Sequence, residues 1–155
     1  MTLKLRIVLG ISSLFIGAQA LADCPAQFAP LGRPVALQVL SRHGKRVFNV
    51  EVARTPQQQE RGLMCRSTLA ANNGMIFPMR YAHTVAFWMK DTMIPLDIIF
   101  IKPDGRIESV RENARPYDLT PLASGGSVSA VLEIAGGQAA KQHIRAGDKV
   151  IWTAR

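Results

Sequence analysis

Apolar and polar positions alternate with a period of two through much of the chain. Val35, Leu37 and Val39 are separated by smaller or polar residues, the pattern of a half-buried strand. Ser41 to Arg46 is a polar turn. Beyond it Phe48, Val50 and Val52 alternate with Asn49 and Glu51, so the second strand of a hairpin is expected. The period changes at Thr55-Pro56-Gln57-Gln58. A threonine cap, a proline at the first helical position and a glutamine able to reach back predict a short helix over Pro56–Arg61, stopped at Gly62. Further strands are expected at Met75–Phe77, Thr84–Met89 and Leu96–Ile101. Lys102-Pro103-Asp104-Gly105-Arg106 is a turn into Ile107–Arg111. Residues 113–126, with two prolines and two glycines, read as a long loop before a strand at Ser127–Ile134. Gln138–His143 makes one or two helical turns, and Lys149 to Trp152 forms a last strand. Many short strands with little helix predict a mainly β fold: a compact β-sandwich or small barrel with one or two short helices.

The stretch from Thr84 to Ile101 breaks its own apolar pattern. If it is an extended hairpin, Val85, Phe87 and Met89 share one face, and Ala86, Trp88 and Lys90 share the other. In the second half, Asp97 opens a row otherwise formed by Ile99 and Ile101. A carboxylate there is costly unless paired or hydrogen-bonded, and Arg61, Arg66 and Lys90 are the candidate partners. Two roles fit these residues. Trp88 can be core, with Lys90 extending outward along it and Asp97 capping a turn. Alternatively, Trp88 is the flat wall of a recess in which charged neighbours fix a polar ligand.

The N-terminus adds a compartment to this picture. Lys4 and Arg6 precede a short apolar run, Ile7 to Ile16, and Ala20-Leu21-Ala22 supplies a small-residue cleavage site. Residues 1–22 therefore read as a secretory signal peptide, cut before Asp23. The run is short for a retained anchor, and Asp23 stands where a lipidation signal ahead of Cys24 needs a small neutral residue. Residues 23–34 follow as an irregular leader, and 35–155 as a single β-rich domain. The expected location is periplasmic or secreted, with no transmembrane span after processing. Cleavage removes two basic residues and no acidic one, taking the formal net charge from +8 to +6. The basic residues are dispersed and lack interleaved aromatics, so a soluble basic surface is expected rather than a nucleic-acid partner. Both cysteines, Cys24 and Cys65, survive cleavage. An oxidising compartment invites a disulfide between them, although spacing alone does not show that they meet.

Several ordered motifs carry a resemblance. The blocks ERGLMCRSTL (Glu60–Leu69), GMIF (Gly74–Phe77), FWMKDTMIPLDIIFI (Phe87–Ile101), VLEI (Val131–Ile134) and GDKV (Gly147–Val150) resemble the domain-of-unknown-function 192 family over roughly Val35 to Trp152. The resemblance implies a compact β-rich domain and brings no established activity. Arg61, Gly62, Met64 and Arg66 match its first block, and Trp88, Lys90, Thr92, Pro95 and Asp97 its central one. Glu133 matches near the end. Where the family pattern often looks like Lys-Asn-Thr, this chain has Lys90-Asp91-Thr92, and the added carboxylate could neutralise Lys90. Cys65 lies inside the first block without belonging to its signature.

Three classes of function compete. The first, and the expectation here, is a non-catalytic module that binds a small polar ligand, a cell-wall fragment or an envelope protein. Its candidate residues are Arg61, Arg66, Trp88, Lys90, Asp91, Asp97 and Glu133. The second is soft-metal handling: Met64, Cys65, Met75, Met79, His83, Met89 and Met93 fall within thirty residues and suit copper(I). The third is an envelope hydrolase, for which Cys65 with His43, His83 or His143, or a carboxylate pair among Glu60, Asp97 and Glu133, is the only visible start. No complete catalytic set stands out, so neither catalytic residues nor a cofactor is assigned.

Overall fold

The computed structural model describes residues 31–153. The expected signal peptide, Cys24 and most of the leader lie outside the described residues. Strand β1 (Val35–Ser41) and strand β2 (Gly44–Val52) form the expected hairpin, in register from Val35 opposite Val50 to Ser41 opposite Gly44. Helix α1 (Pro56–Arg61) has the predicted bounds. Thr55 Oγ1 accepts from the Gln58 amide at 3.2 Å, and Gln58 Oε1 accepts from the Thr55 amide at 3.0 Å, a reciprocal capping box. Gly62 ends the helix at φ 49°, in the region that glycine enters without a Cβ clash. Gln59 anchors the helix by donating to the carbonyls of Ala53 (3.1 Å) and Pro78 (2.8 Å).

The chain continues through β3 (Asn73–His83), β4 (Ala86–Phe87), β5 (Leu96–Ile101), β6 (Ile107–Ala114), β7 (Leu122–Ala123) and β8 (Val128–Ala135). A second helix, α2 (Gln138–Lys141), precedes β9 (Lys149–Trp152). Seven strands make one mixed sheet in the order β6-β5-β8-β3-β2-β1-β9, and β4 and β7 pair separately. Only β2 and β3 run parallel within the sheet, joined by the crossover that contains α1. The sheet curls until its edges approach: Ile107 N–H donates to Asp148 O and Val150 N–H to Gly105 O, each at 2.8 Å. It does not close. The fold is mainly β, as the alternation predicts, and its form is a curled mixed sheet with a two-stranded flap.

The apolar residues divide between the two faces. Leu37, Val39, Phe48, Val50, Ile76, Ile99, Leu132, Ile134 and Val150 cluster with Ala139 and Ile144 on one side. Met75, Phe77, Leu96, Ile98, Phe100 and Val131 point to the other, where Leu63 and Met89 cover them. Covering both faces explains why all six residues of β5 are buried, and why β5 reads as a continuous apolar run.

The segment around Trp88 departs from the expected hairpin. Beyond Phe87 the chain turns instead of remaining extended, and β5 pairs with β6 and β8, not with β4. Met89 N–H donates to Asp118 O (2.8 Å), Thr92 N–H to Met89 O (3.2 Å), and Asp91 adopts φ 50°. Those bonds commit residues 88–92 to a bend that alternation cannot encode.

Candidate functional site

A recess of about 750 Å³ opens on the face of the sheet covered by Leu63 and Met89. That volume lies in the range of small-molecule sites. One wall is α1 and the segment after it, including Glu60, Arg61, Met64 and Cys65. A second is the far end of β3 with Phe77, Met79 and His83, where the register against β8 shifts between Pro78 and His83. The third runs from Val85 through Phe87 and Trp88 to Lys90, Asp91 and Thr92, and Glu133 reaches in from β8.

Trp88 is 52% exposed, so its indole is not core. The Lys90 ammonium stands 6.0 Å from the centre of that ring, within cation–π range. Among the described residues Lys90 makes no ion pair within 4.0 Å, so the adjacent Asp91 does not clamp it. Asp91 instead serves the backbone: its left-handed conformation suits Asn or Asp, and its carbonyl accepts from Cys65 N–H at 2.8 Å. Thr92 is buried and donates to Lys90 O at 3.0 Å, fixing the bend. Phe87 packs edge-on against Phe77, with ring centres 5.1 Å apart, behind the recess.

Glu133 is 5% exposed and makes no hydrogen bond or ion pair among the described residues. Burial pushes its carboxyl up to about 8, because ionisation in a poorly solvated position is costly. Arg61 lies in the same recess, and burial and then the nearby Arg66 charge both lower its pKa.

Two expected site residues are placed elsewhere. Asp97 is fully buried, and its carboxylate accepts from the amides of Asn113 (2.8 Å), Gly137 (2.9 Å) and Ala139 (2.7 Å). It ties β6 and the start of α2 to β5 and is not among the recess residues. Arg66 also lies outside the recess. It forms a two-pronged ion pair with Glu51, which accepts in addition from Leu31 N–H at 2.7 Å. Arg61, Trp88, Lys90, Asp91 and Glu133 are the candidates that the fold does bring together.

The methionine set divides in the same way. Met64, Met79 and His83 line the recess, Met75 and Met89 are buried in the apolar layer, and Met93 is half-buried away from it. No group of three His, Cys, Asp or Glu side chains among the described residues could hold a metal ion. Cys65 is disulfide-bonded, and Cys24 lies outside the described residues. A disulfide sulfur is no thiolate nucleophile. The recess residues not named as site candidates from the sequence include Gln57, Gln59, Phe77, Phe87 and Thr92. Of these, Phe77, Phe87 and Thr92 carried a signal, as parts of the motif blocks.

Fold and recess together define a class: a small domain built on a curled mixed sheet, with one face sealed and the other hollowed. The chain belongs to the domain-of-unknown-function 192 family, described as uncharacterized ACR, whose sequence profile matches residues 38–152. It is similar to a protein of unknown function from Novosphingobium aromaticivorans, with 44% identity, a TM-score of 0.78, and coverage of 88% of this chain and 99% of that one. A second similar structure, from Sinorhizobium meliloti, is described as a "putative transcription regulator". It has 31% identity and a TM-score of 0.77, and covers 81% of this chain and 98% of its own. No curated protein matches the chain significantly.

Proposed function

We propose that the chain is an exported, periplasmic binding module that takes a small polar ligand into the recess, without catalysing a reaction. One observation carries this reading: the same recess presents a half-exposed indole and a buried carboxyl with no partner among the described residues. An indole supplies a broad apolar surface at small cost in conformational entropy, suited to a sugar ring or a peptide side chain. The carboxyl supplies the polar contact that fixes orientation. Export rests on the signal-peptide pattern of residues 1–22, and the disulfide at Cys65 accords with an oxidising compartment.

The test uses the full chain, expressed with its own leader and recovered from the compartment it reaches. Its intact mass reports cleavage before Asp23 and the loss of two hydrogens if Cys24 and Cys65 pair. Thermal unfolding is then followed with sugars, cell-wall peptides and copper(I), the last because Met64, Met79 and His83 share the wall. The expected outcome is an upward shift with a sugar or peptide that disappears in Trp88→Ala while the unliganded midpoint stays close to wild type. A shift with copper(I) alone would replace this reading with metal handling.

A further inference from the structure

Glu133 stands in β8 between Met75 of β3 and Ile98 of β5, its register partners on either side. Both partners are fully buried, so the flanking strands offer the carboxyl a thioether and an alkyl chain and no polar group. The ionisable groups that share its surroundings are Glu60 and Arg61 from the α1 wall, His83 from β3, and Lys90 and Asp91 from the bend after β4. On β6, Arg111 shares the face through Ile98, but its guanidinium donates to Ala123 O at 2.9 Å; on β2, Glu51 shares it through Met75 and is held in its ion pair with Arg66. None of these reaches Glu133 with a hydrogen bond or an ion pair among the described residues.

A buried carboxyl in such surroundings is held as the neutral acid at neutral pH. In that form it presents one O–H donor and one carbonyl acceptor. Both open onto the recess, where a ligand can take them in place of water, since buried polar groups are ordinarily hydrogen-bonded. A cationic ligand is a poorer fit to Glu133 itself, because it gains a full ion pair only by displacing the proton.

Building on the binding reading above, we propose that Glu133 is the orienting group of the recess and that it acts as a neutral acid, donating to the carbonyl oxygen of an uncharged, amide-bearing ligand. The C=O and N–H of one trans amide point in opposite directions, so the bond returned to the other carboxyl oxygen comes from a neighbouring hydroxyl or a second amide N–H of the ligand, and the Trp88 indole covers the ligand's apolar surface. An N-acetylated sugar and a short blocked peptide share this chemistry.

Calorimetric titration of the full chain distinguishes the possibilities. The probes are N-acetylglucosamine, acetyl-alanine methylamide, and glucosamine as the cationic counterpart of the first. At least one amide is expected to bind, with constant affinity below about pH 7 and a fall of about tenfold per pH unit above about pH 8. Glu133→Gln, which keeps a neutral donor and acceptor, is expected to retain binding and lose the pH dependence, whereas Glu133→Leu loses binding. Affinity unchanged through pH 8, Gln as damaging as Leu, or preference for glucosamine with affinity rising with pH would each overturn this inference and leave the binding module standing. Failure of all three probes, with an upward thermal shift from another sugar or peptide, would overturn it likewise. No shift with any sugar or peptide would remove the module and this inference together.

Discussion

Three of the buried acids, Glu51, Asp97 and Glu133, are accommodated in three different ways, and for Glu51 and Glu133 the surroundings fix the response to pH. Asp97 is enclosed by backbone amides. For Glu51 burial alone would raise the pKa, but the Arg66 hydrogen bond and the Leu31 amide outweigh it and hold the carboxyl below its ordinary value. Glu133 has only burial acting on it and moves the other way, to about 8. The stability that Glu51 contributes is present above its unfolded pKa and lost as pH falls through its lowered folded value. The sign reverses for Glu133: its proton is bound more tightly in the folded state, so its contribution is full below about 4.5 and is lost as pH rises through about 8. The loss should total about 3–5 kcal/mol. Urea unfolding between about pH 5 and about pH 9 should therefore show wild type losing stability with rising pH. Glu133→Gln should flatten that part of the curve; an unchanged slope would mean that the carboxyl is solvated or paired.

At the scale of elements, the sequence was most legible where one short pattern determines one local structure. The bounds of α1 follow from Thr55, Pro56, Gln58 and Gly62, all within eight residues. The turn at Gly105, with φ 79° and a bond from its amide to Lys102 O at 2.8 Å, is equally local. Pairing is a different matter, since alternation marks a strand's faces and leaves its neighbours open. That is why Thr84–Met89 looked like a partner for β5, whereas β4 pairs with β7, far along the chain. The site was legible in part for the same reason. Glu133 and Asp97 look alike as acids inside apolar strands, and only the three-dimensional arrangement gives Asp97 three amides and Glu133 none. The central pairing of β3 with β8 depends on Gly74, where a Cβ would collide with the Glu133 carbonyl oxygen and come within 3.1 Å of Ile134 Cγ2. Backbone cannot yield as a flexible side-chain tip does. Gly74→Ala should cost about 1–3 kcal/mol or more in chemical unfolding, and should weaken ligand binding by shifting β8 beneath the recess.

For the whole molecule, the curled sheet separates duties between its faces. One is filled with aliphatic side chains from strands at both ends of the chain, and the other supports the hollow. The strand that completes the filled face is β9, which pairs with β1 from Leu37 opposite Trp152 to Leu40 opposite Lys149 and contributes the buried Val150. Deleting residues 149–155 should bare one edge of β1 and open the first core. Loss of a single cooperative thermal transition is the expected result, and a truncated chain that melts like the full one would show that β9 is dispensable.

The adjacency of the first and last strands also sets an order of events in time. Leu37 cannot meet Trp152 until more than a hundred further residues have been made, so no growing chain can finish its sheet early. Contacts between such distant segments form slowly, because a long loop must first be closed. The fold thus orders its own assembly: the edge strand beside β1 stays missing until Lys149–Trp152 has been made and laid against it.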